Sequence, residues 1–379
     1  MPDQPHLPAP IYPVNRRHLD LLSSDLGIWQ HASLANPDPA FGFCTDDVCR
    51  ALGVDVLQSR ELSWAAVSSS VRRHLTFLEQ AQSAPGRRFR NFRAADGEWL
   101  EAEGSQDSHG RAMASLALVM DRAPDPSIVE AARSLFEWAL PAAQKLRALR
   151  AVASALLACD RAIDAGGGAE AQATFDLMVE RLTGAFKEYA APPDWPWPEP
   201  AVTYENALLP RALIVAGRRL GDASLIRGGC QVLDWLIESQ TSPSGTFSPV
   251  GNKGWWHRGG TRSQFDQQPI EAMAMLLGAE VALEATGDER YMRAAEMAYR
   301  WFLGANDVGV AVAIPQAGAC NDGLTPAGVN GNQGAESTLA WLTALEHMRR
   351  LRAARSGGFG PGARSAERHA ARRLETARP

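Results

Sequence analysis

Apolar residues recur at the spacing of an α-helix through most of the chain. The runs 61–81, 108–119, 126–140, 147–163, 169–189, 206–220, 223–239, 268–285, 288–302 and 335–352 each carry an apolar stripe set against polar positions. The pattern predicts an all-α protein. Several neighbouring runs are joined by very short connections, such as "APDP" and "LGDA", which makes them antiparallel hairpins. Others are separated by long loops rich in Gly, Pro and Trp, at 86–106, 190–204, 240–265 and 304–332. Helical hairpins arranged in a ring place the short turns at one end and the long loops at the other. About six hairpins form if a helix at 18–24 closes on the last one, which predicts an (α/α)6 toroid over 18–355. Residues 1–17 then read as an extension, and the Arg-rich, Gly-interrupted stretch 356–379 as a disordered basic tail. Two stacked bundles are the alternative architecture.

In the toroid, polar clusters converge. Five loops, the four long ones among them, lead into a helix through "CTDDVCRAL", "GSQDSHGRAM", "WPWPEPAVTYENALL", "SQFDQQPIEAM" and "NGNQGAESTLAWL". Each cluster sits at the start of an inner helix, and in a toroid those starts share one face. Taken singly, such residues are good helix caps, and capping or structural hydrogen bonding is the expected role of Asp46, Asp47 and Glu336. Asp107 and Asp266 lie among further donors and aromatics that a cap does not require.

Tryptophan placement suggests what the face binds. Trp138, Trp235, Trp301 and Trp341 lie inside helical runs and read as core, whereas Trp195, Trp197, Trp255 and Trp256 lie in loops beside carboxylates, amides and arginine. Flat apolar faces stack on sugar rings, and the surrounding groups bind hydroxyls, so the stretch "FSPVGNKGWWHRGGTRSQFDQQPIEAMAM" reads as the lining of a carbohydrate site. The candidate sugar contacts are Asp46, Asp47, His109, Arg111, Trp195, Trp197, Tyr204, Asn206, Trp255, Trp256, His257, Arg258, Gln267, Gln268, Asp322, Asn332 and Glu336.

Glycoside hydrolysis needs one protonated and one ionised carboxyl group. Glu199 lies in "DWPWPEP", where Trp and Pro could desolvate it, and is the expected acid, with Glu205 in reserve. Asp107 and Asp266, at helix starts where the dipole favours a negative charge, are the expected bases. An inverting glycosidase acting on an oligosaccharide is the leading expectation. An epimerase using His109 or His257 is the second, and a non-catalytic glycan-binding protein the third.

Composition narrows the field further. A net charge of −5 gives no field that would gather nucleic acid. Nothing apolar reaches the length of a membrane span and "MPDQPHLPAPIYPVNRR" lacks a signal-peptide core, so a cytoplasmic protein is expected. The five scattered cysteines fit a reducing compartment. There is no Walker A loop, no GxGxxG between a strand and a helix, no HExxH and no GxSxG elbow, so no cofactor or metal is expected.

The motifs "GFCTDDVCRAL", "FRNFRAADGEWLEAEGSQDSHGRAM", "WPWPEPAVTYENALLPRALIVAG", "GTFSPVGNKGWWHRGG", "FDQQPIEAMA" and "CNDGLTPAGVNGNQGAESTLAWL", in this order over 19–348, resemble a bacterial family of helical-toroid proteins. Its members occur beside glycosyltransferases or fused to them, and near mannoside phosphorylases. The resemblance implies an (α/α)6 fold, a role in carbohydrate metabolism and a possible glycosyltransferase partner. It assigns no catalytic residue. The chain departs from the family pattern at Val48, where asparagine is expected, at Glu205, where aspartate is expected, and in "VAIPQAGACNDG", which lacks a Tyr-Asp pair.

Overall fold

A computed structural model describes residues 8–189 and 194–356. Twelve helices are found among them: α1 (Arg17–Leu22), α2 (Thr45–Gln58), α3 (Trp64–Ala81), α4 (Gln106–Arg122), α5 (Pro126–Ala143), α6 (Leu149–Asp164), α7 (Ala169–Tyr189), α8 (Leu208–Leu220), α9 (Ala223–Ser239), α10 (Pro269–Thr286), α11 (Glu289–Phe302) and α12 (Ala335–Ser356). The even-numbered helices form a closed inner ring in which α2 packs on α4, α4 on α6, α6 on α8, α8 on α10, α10 on α12 and α12 back on α2. Each inner helix also packs on an outer partner, with α1 closing the set against α12. The fold is an (α/α)6 toroid.

Local chemistry explains the alternation of short and long connections. Three short turns begin their outer helices with an aspartate cap: Asp125 accepts from Ser127 N, Asp222 from Ser224 N and Asp288 from Arg290 N. Two of the preceding inner helices end on left-handed glycines, Gly221 at φ 66° and Gly287 at φ 70°. Helix α10 is buried from Pro269 through Leu283, as a helix apolar on all sides must be when neighbours enclose it. At Gly110 an added Cβ would stand 2.8 Å from Ala151 O, so glycine lets α4 and α6 approach closely near their loop ends.

The long loops fill the opposite face and pair with one another in two- and three-residue strands. Phe43–Cys44 pairs with Phe92–Arg93, Ala201–Val202 with Trp256–His257, and Gly323–Thr325 with Gly328–Asn330, all antiparallel. Residues 8–16 lie along the outside of the last hairpin, where Tyr299 donates to Pro10 O and Arg349 to Tyr12 O. Residues 1–7 of the expected extension, and the expected tail from 357 onward, lie outside the described residues. The five cysteines are all free and buried. No helix among the described residues is long and apolar enough to cross a membrane.

Candidate active site

Inner-helix starts converge on the loop face, and four of them, with residues from the loops between helices, line a cavity of two adjoining lobes. The first, of about 360 Å3, is lined by Asp46, Arg50, Ser105, Asp107, Arg111, Tyr204, Asn252, Trp255, Gln268, Ile270 and Glu336. The second, of about 390 Å3, shares Asp46, Arg50, Gln268 and Glu336 and adds, among others, His31, Asn91, Phe92 and Asp322. Each lobe is of the size that small ligands occupy.

Helix α2 supplies the shared wall. Asp46 is bonded by the Arg111 guanidinium. Burial alone would raise its carboxyl, but Arg111 and Arg50 outweigh this and hold it below the ordinary carboxylate range. Asp47 accepts from Arg50 Nη1 at 2.8 Å and from the Cys44 thiol at 3.0 Å. Burial raises it to about 6, with Glu336 and Asp46 adding repulsion and Arg50 opposing. The other arm of Arg50 reaches Glu336 Oε2 at 2.7 Å. Of the two roles expected of these carboxylates, capping or structural hydrogen bonding, α2 shows no side-chain cap bond, and all three are hydrogen-bonded to guanidinium groups.

Helix α4 supplies Asp107 and, one turn on, Arg111. Ser105 caps the helix by accepting from Ser108 N at 3.0 Å, which leaves Asp107 free to face the lobe. It accepts a short hydrogen bond from the Tyr204 hydroxyl, a neutral donor. Burial, and then Asp107 itself, push the Tyr204 phenol well above its ordinary range, so it remains a donor. Arg111 bridges Asp46 to Glu205, with Nη2 2.6 Å from Glu205 Oε2.

Tyr204 is held from behind by Arg150 of α6. The Arg150 guanidinium lies 4.6 Å from the centre of the Tyr204 ring, and Nε donates to Tyr204 O at 2.6 Å. The same group binds Glu199 Oε2 at 2.6 Å and Thr203 Oγ1 at 3.0 Å. Glu199 therefore belongs to the support of the site and lines neither lobe, because its carboxylate is spent on Arg150. Glu205 has a left-handed backbone, φ 47°, which Glu271 braces by accepting from the Glu205 and Asn206 N–H groups. Burial raises Glu271 to about 7 against the pull of these bonds and of Arg150.

Among the loop tryptophans of the described residues only Trp255 lines the cavity, again with a left-handed backbone, φ 57°, and its ring centre is 6.4 Å from that of Tyr204. Its neighbour Trp256 turns away and stacks on Trp235 at 5.2 Å. Trp195 packs edge-on against both, and Trp197 is fully buried with its indole N–H on Ala201 O. Trp195, Trp197 and Trp256 are thus structural, which corrects the expectation that they contact sugar.

The remaining expected contacts divide plainly. Tyr204, Gln268 and Asp322 line the cavity together with Asp46, Asp47, Asp107, Arg111, Trp255 and Glu336. His109 does not: it is fully buried, with one ring nitrogen on Ala139 O and the other taking Phe89 N–H, and burial lowers it to about 4. His257 and Arg258 are exposed on the hairpin and outside both linings. Asn206 is buried against Glu271, and Gln267 is buried between Asp307 and the Trp301 indole N–H. Asn332 receives the Leu34 N–H on the rim, and the Asp266 carbonyl receives Asn252 N–H behind the first lobe. Asp266 lines neither lobe.

Sequence reasoning missed Arg50, Arg150, His31, Asn91, Ser105 and Asn252. Two had signals. Arg50 stands three and four residues beyond the paired aspartates, one helical turn away, and Arg150 is a lone guanidinium in the apolar run "LRAVASALLA".

No protein-family model and no curated protein matches the chain. Solved structures do match in fold. A cellobiose 2-epimerase from Spirochaeta thermophila aligns over 86% of this chain and 90% of its own, with 14% identity and a TM-score of 0.65. A cellobiose 2-epimerase from Bacillus thermoamylovorans covers 89% and 96%, with 10% identity and a TM-score of 0.68. A GH76 alpha-mannanase from Bacteroides thetaiotaomicron covers 89% and 94%, with 8% identity and a TM-score of 0.59. These neighbours are toroidal carbohydrate-active enzymes of two reaction types.

Proposed function

We propose that the protein is a carbohydrate-active enzyme that hydrolyses a glycosidic bond held in the first lobe. One observation carries the reading. Of the three carboxylates lining that lobe, Asp46 and Glu336 are each ion-paired to an arginine, whereas Asp107 meets the neutral Tyr204 hydroxyl. Asp107 is the one of the three with no guanidinium to hold it ionised, and serves as the general acid at the leaving oxygen. The fixed negative charge of Asp46 balances the positive charge that develops on the sugar ring. Glu336, 43% exposed, is the carboxylate on the solvent side and activates the incoming water. Trp255 gives the ring a flat apolar face, and Arg50, Arg111, Asn252 and Gln268 supply hydroxyl partners.

The test is a panel of α- and β-linked oligosaccharides followed by NMR, which reads both the released reducing end and its anomeric configuration. Hydrolysis that is lost in Asp107→Asn supports the reading. Binding without turnover, unchanged in that variant, would instead identify a glycan-binding protein of the kind that could serve a glycosyltransferase.

A second reading has one observation in its favour: His31 lines the second lobe together with Asp322. An imidazole beside a carboxylate can remove a proton next to a sugar carbonyl. Such an epimerase would incorporate deuterium from D2O at a ring carbon with no net hydrolysis, and would fail in His31→Asn. The pair His109 and His257 cannot play this part, since one is core and the other lies outside the cavity.

A further inference from the structure

The second lobe differs from the first in its charge. Four carboxylates, those of Asp46, Asp47, Asp322 and Glu336, line it with a single guanidinium, Arg50, and the imidazole of His31. Arg50 is divided between Asp47 and Glu336, and Asp46 is bonded from outside the lobe by Arg111, which is itself shared with Glu205. Asp322 is bonded by neutral donors, the Gly334 N–H at 2.8 Å and the Ser337 hydroxyl. Negative charge is therefore left over inside a recess, where water screens it less than on an open surface.

A second, independent feature points the same way. Asn91 lines this lobe and is 5% exposed, and its Oδ1 is a buried acceptor with no partner. Its amide nitrogen is engaged with Asp46, which fixes the oxygen as the free end. A buried acceptor left unmatched is costly unless a ligand donor completes it. Phe92, 40% exposed, adds a flat face of the kind a sugar ring covers.

On the reading that the cavity binds sugar, we propose that the second lobe recognises a sugar residue carrying a positively charged amino group and turns away phosphorylated or carboxylated sugars. An ammonium group brings three donors and a positive charge to a recess rich in acceptors and negative charge, whereas a uronate or phosphate brings repulsion. Burial, and after it the repulsion of neighbouring acids, raises Asp47 to about 6 and Asp322 above its ordinary value.

The test titrates the purified full chain with the methyl glycosides of glucosamine, glucose and glucuronic acid, and with the corresponding manno series, at low and high salt. The amino sugar should bind about tenfold more tightly than its neutral counterpart, as a hydrogen-bonded charge implies. The uronate should bind weakest, and the gap should narrow with salt. Asp322→Asn should bring the amino sugar's affinity toward that of the neutral sugar, and Asn91→Ala should do so in part, each checked for folding by its thermal midpoint. Equal binding of amino and neutral sugars, or tighter binding of the uronate, overturns the proposal and leaves the sugar site standing. Failure of every sugar to bind overturns the sugar site along with it.

Discussion

Two sides of the ring carry the same residue types to opposite ends. Around α8 and the loop before α10, Glu199, Trp195, Trp197 and Trp256 form a closed structure: the carboxylate is matched to Arg150, and the indoles are matched to one another and to backbone carbonyls. Around α2, α4 and α12, Asp46, Asp107, Arg111 and Glu336 are matched only in part and border an open cavity. What separates them is the stoichiometry of partners. Where a buried guanidinium and its acceptors are in balance, the cluster is a brace. Where carboxylates outnumber the arginines beside them, some polar capacity is left for a ligand.

That difference is broken most directly by exchanging the two losses. Asp107→Asn should lower turnover by about 10²- to 10⁴-fold, the span expected for a general acid, with little change in the urea midpoint. Glu199→Ala should do the reverse. It leaves the Arg150 guanidinium, 5% exposed, without its counter-charge, which should cost stability on the order of 3 kcal/mol. Turnover per folded molecule should survive in a form sensitive to how well Tyr204 is held. A Glu199 variant that stays stable yet loses all activity would place the acid where the sequence alone suggests it.

The toroid was legible because it rests on periodicity and connection length, which are local properties of the chain. The span of α2 was marked less clearly than the others, since its buried positions include Asp47, Asp55 and Gln58 and dilute the apolar stripe. The convergence of the helix starts at Asp46, Asp107, Tyr204, Gln268 and Glu336 followed from the same topology. Which carboxylate keeps a free oxygen did not follow, because it depends on partners far apart in sequence. Arg50 reaches Glu336 across 286 positions, and Arg150 reaches Glu199 across 49. Loop tryptophans misled for a related reason: a Trp in a Gly-rich loop is equally suited to stacking on a sugar or on another Trp, and Trp235, in a helical run that reads as core, is what draws Trp256 inward.

The boundary between brace and site can be sharpened by pH. Glu271 lies on the brace side, 4% exposed, and its carboxyl is raised to about 7 from an ordinary 4.5. The folded protein therefore keeps a proton that the unfolded chain has released between about pH 4.5 and 7, so stability should fall as pH rises through that window. The full cost, about 3 kcal/mol, is reached above the folded value. Urea unfolding of the parent and of Glu271→Gln across pH 4 to 8 checks this: the difference between them should change through that window and flatten above it. A difference independent of pH would mean that Glu271 is ionised throughout and braces Glu205 as a full charge.

The finest test uses two adjacent residues. Trp256, half-buried on Trp235, should cost about 2 kcal/mol of stability when changed to alanine, with sugar affinity kept in the folded fraction. Trp255→Ala should leave the melting midpoint nearly unchanged, because the indole faces the cavity and alanine keeps the Cβ that sets the cost of the left-handed backbone, φ 57°. Its effect should appear in binding, as a loss of about 1 kcal/mol, or some fivefold in affinity, when a sugar ring loses its stacking face. Intrinsic fluorescence separates the pair without any assay of turnover. A bound sugar should shift the emission of the parent and of Trp256→Ala, and leave that of Trp255→Ala almost unmoved. A shift that instead follows Trp256 would mean that the hairpin opens to take the ligand, and that the closed side of the ring is closed only while the cavity is empty.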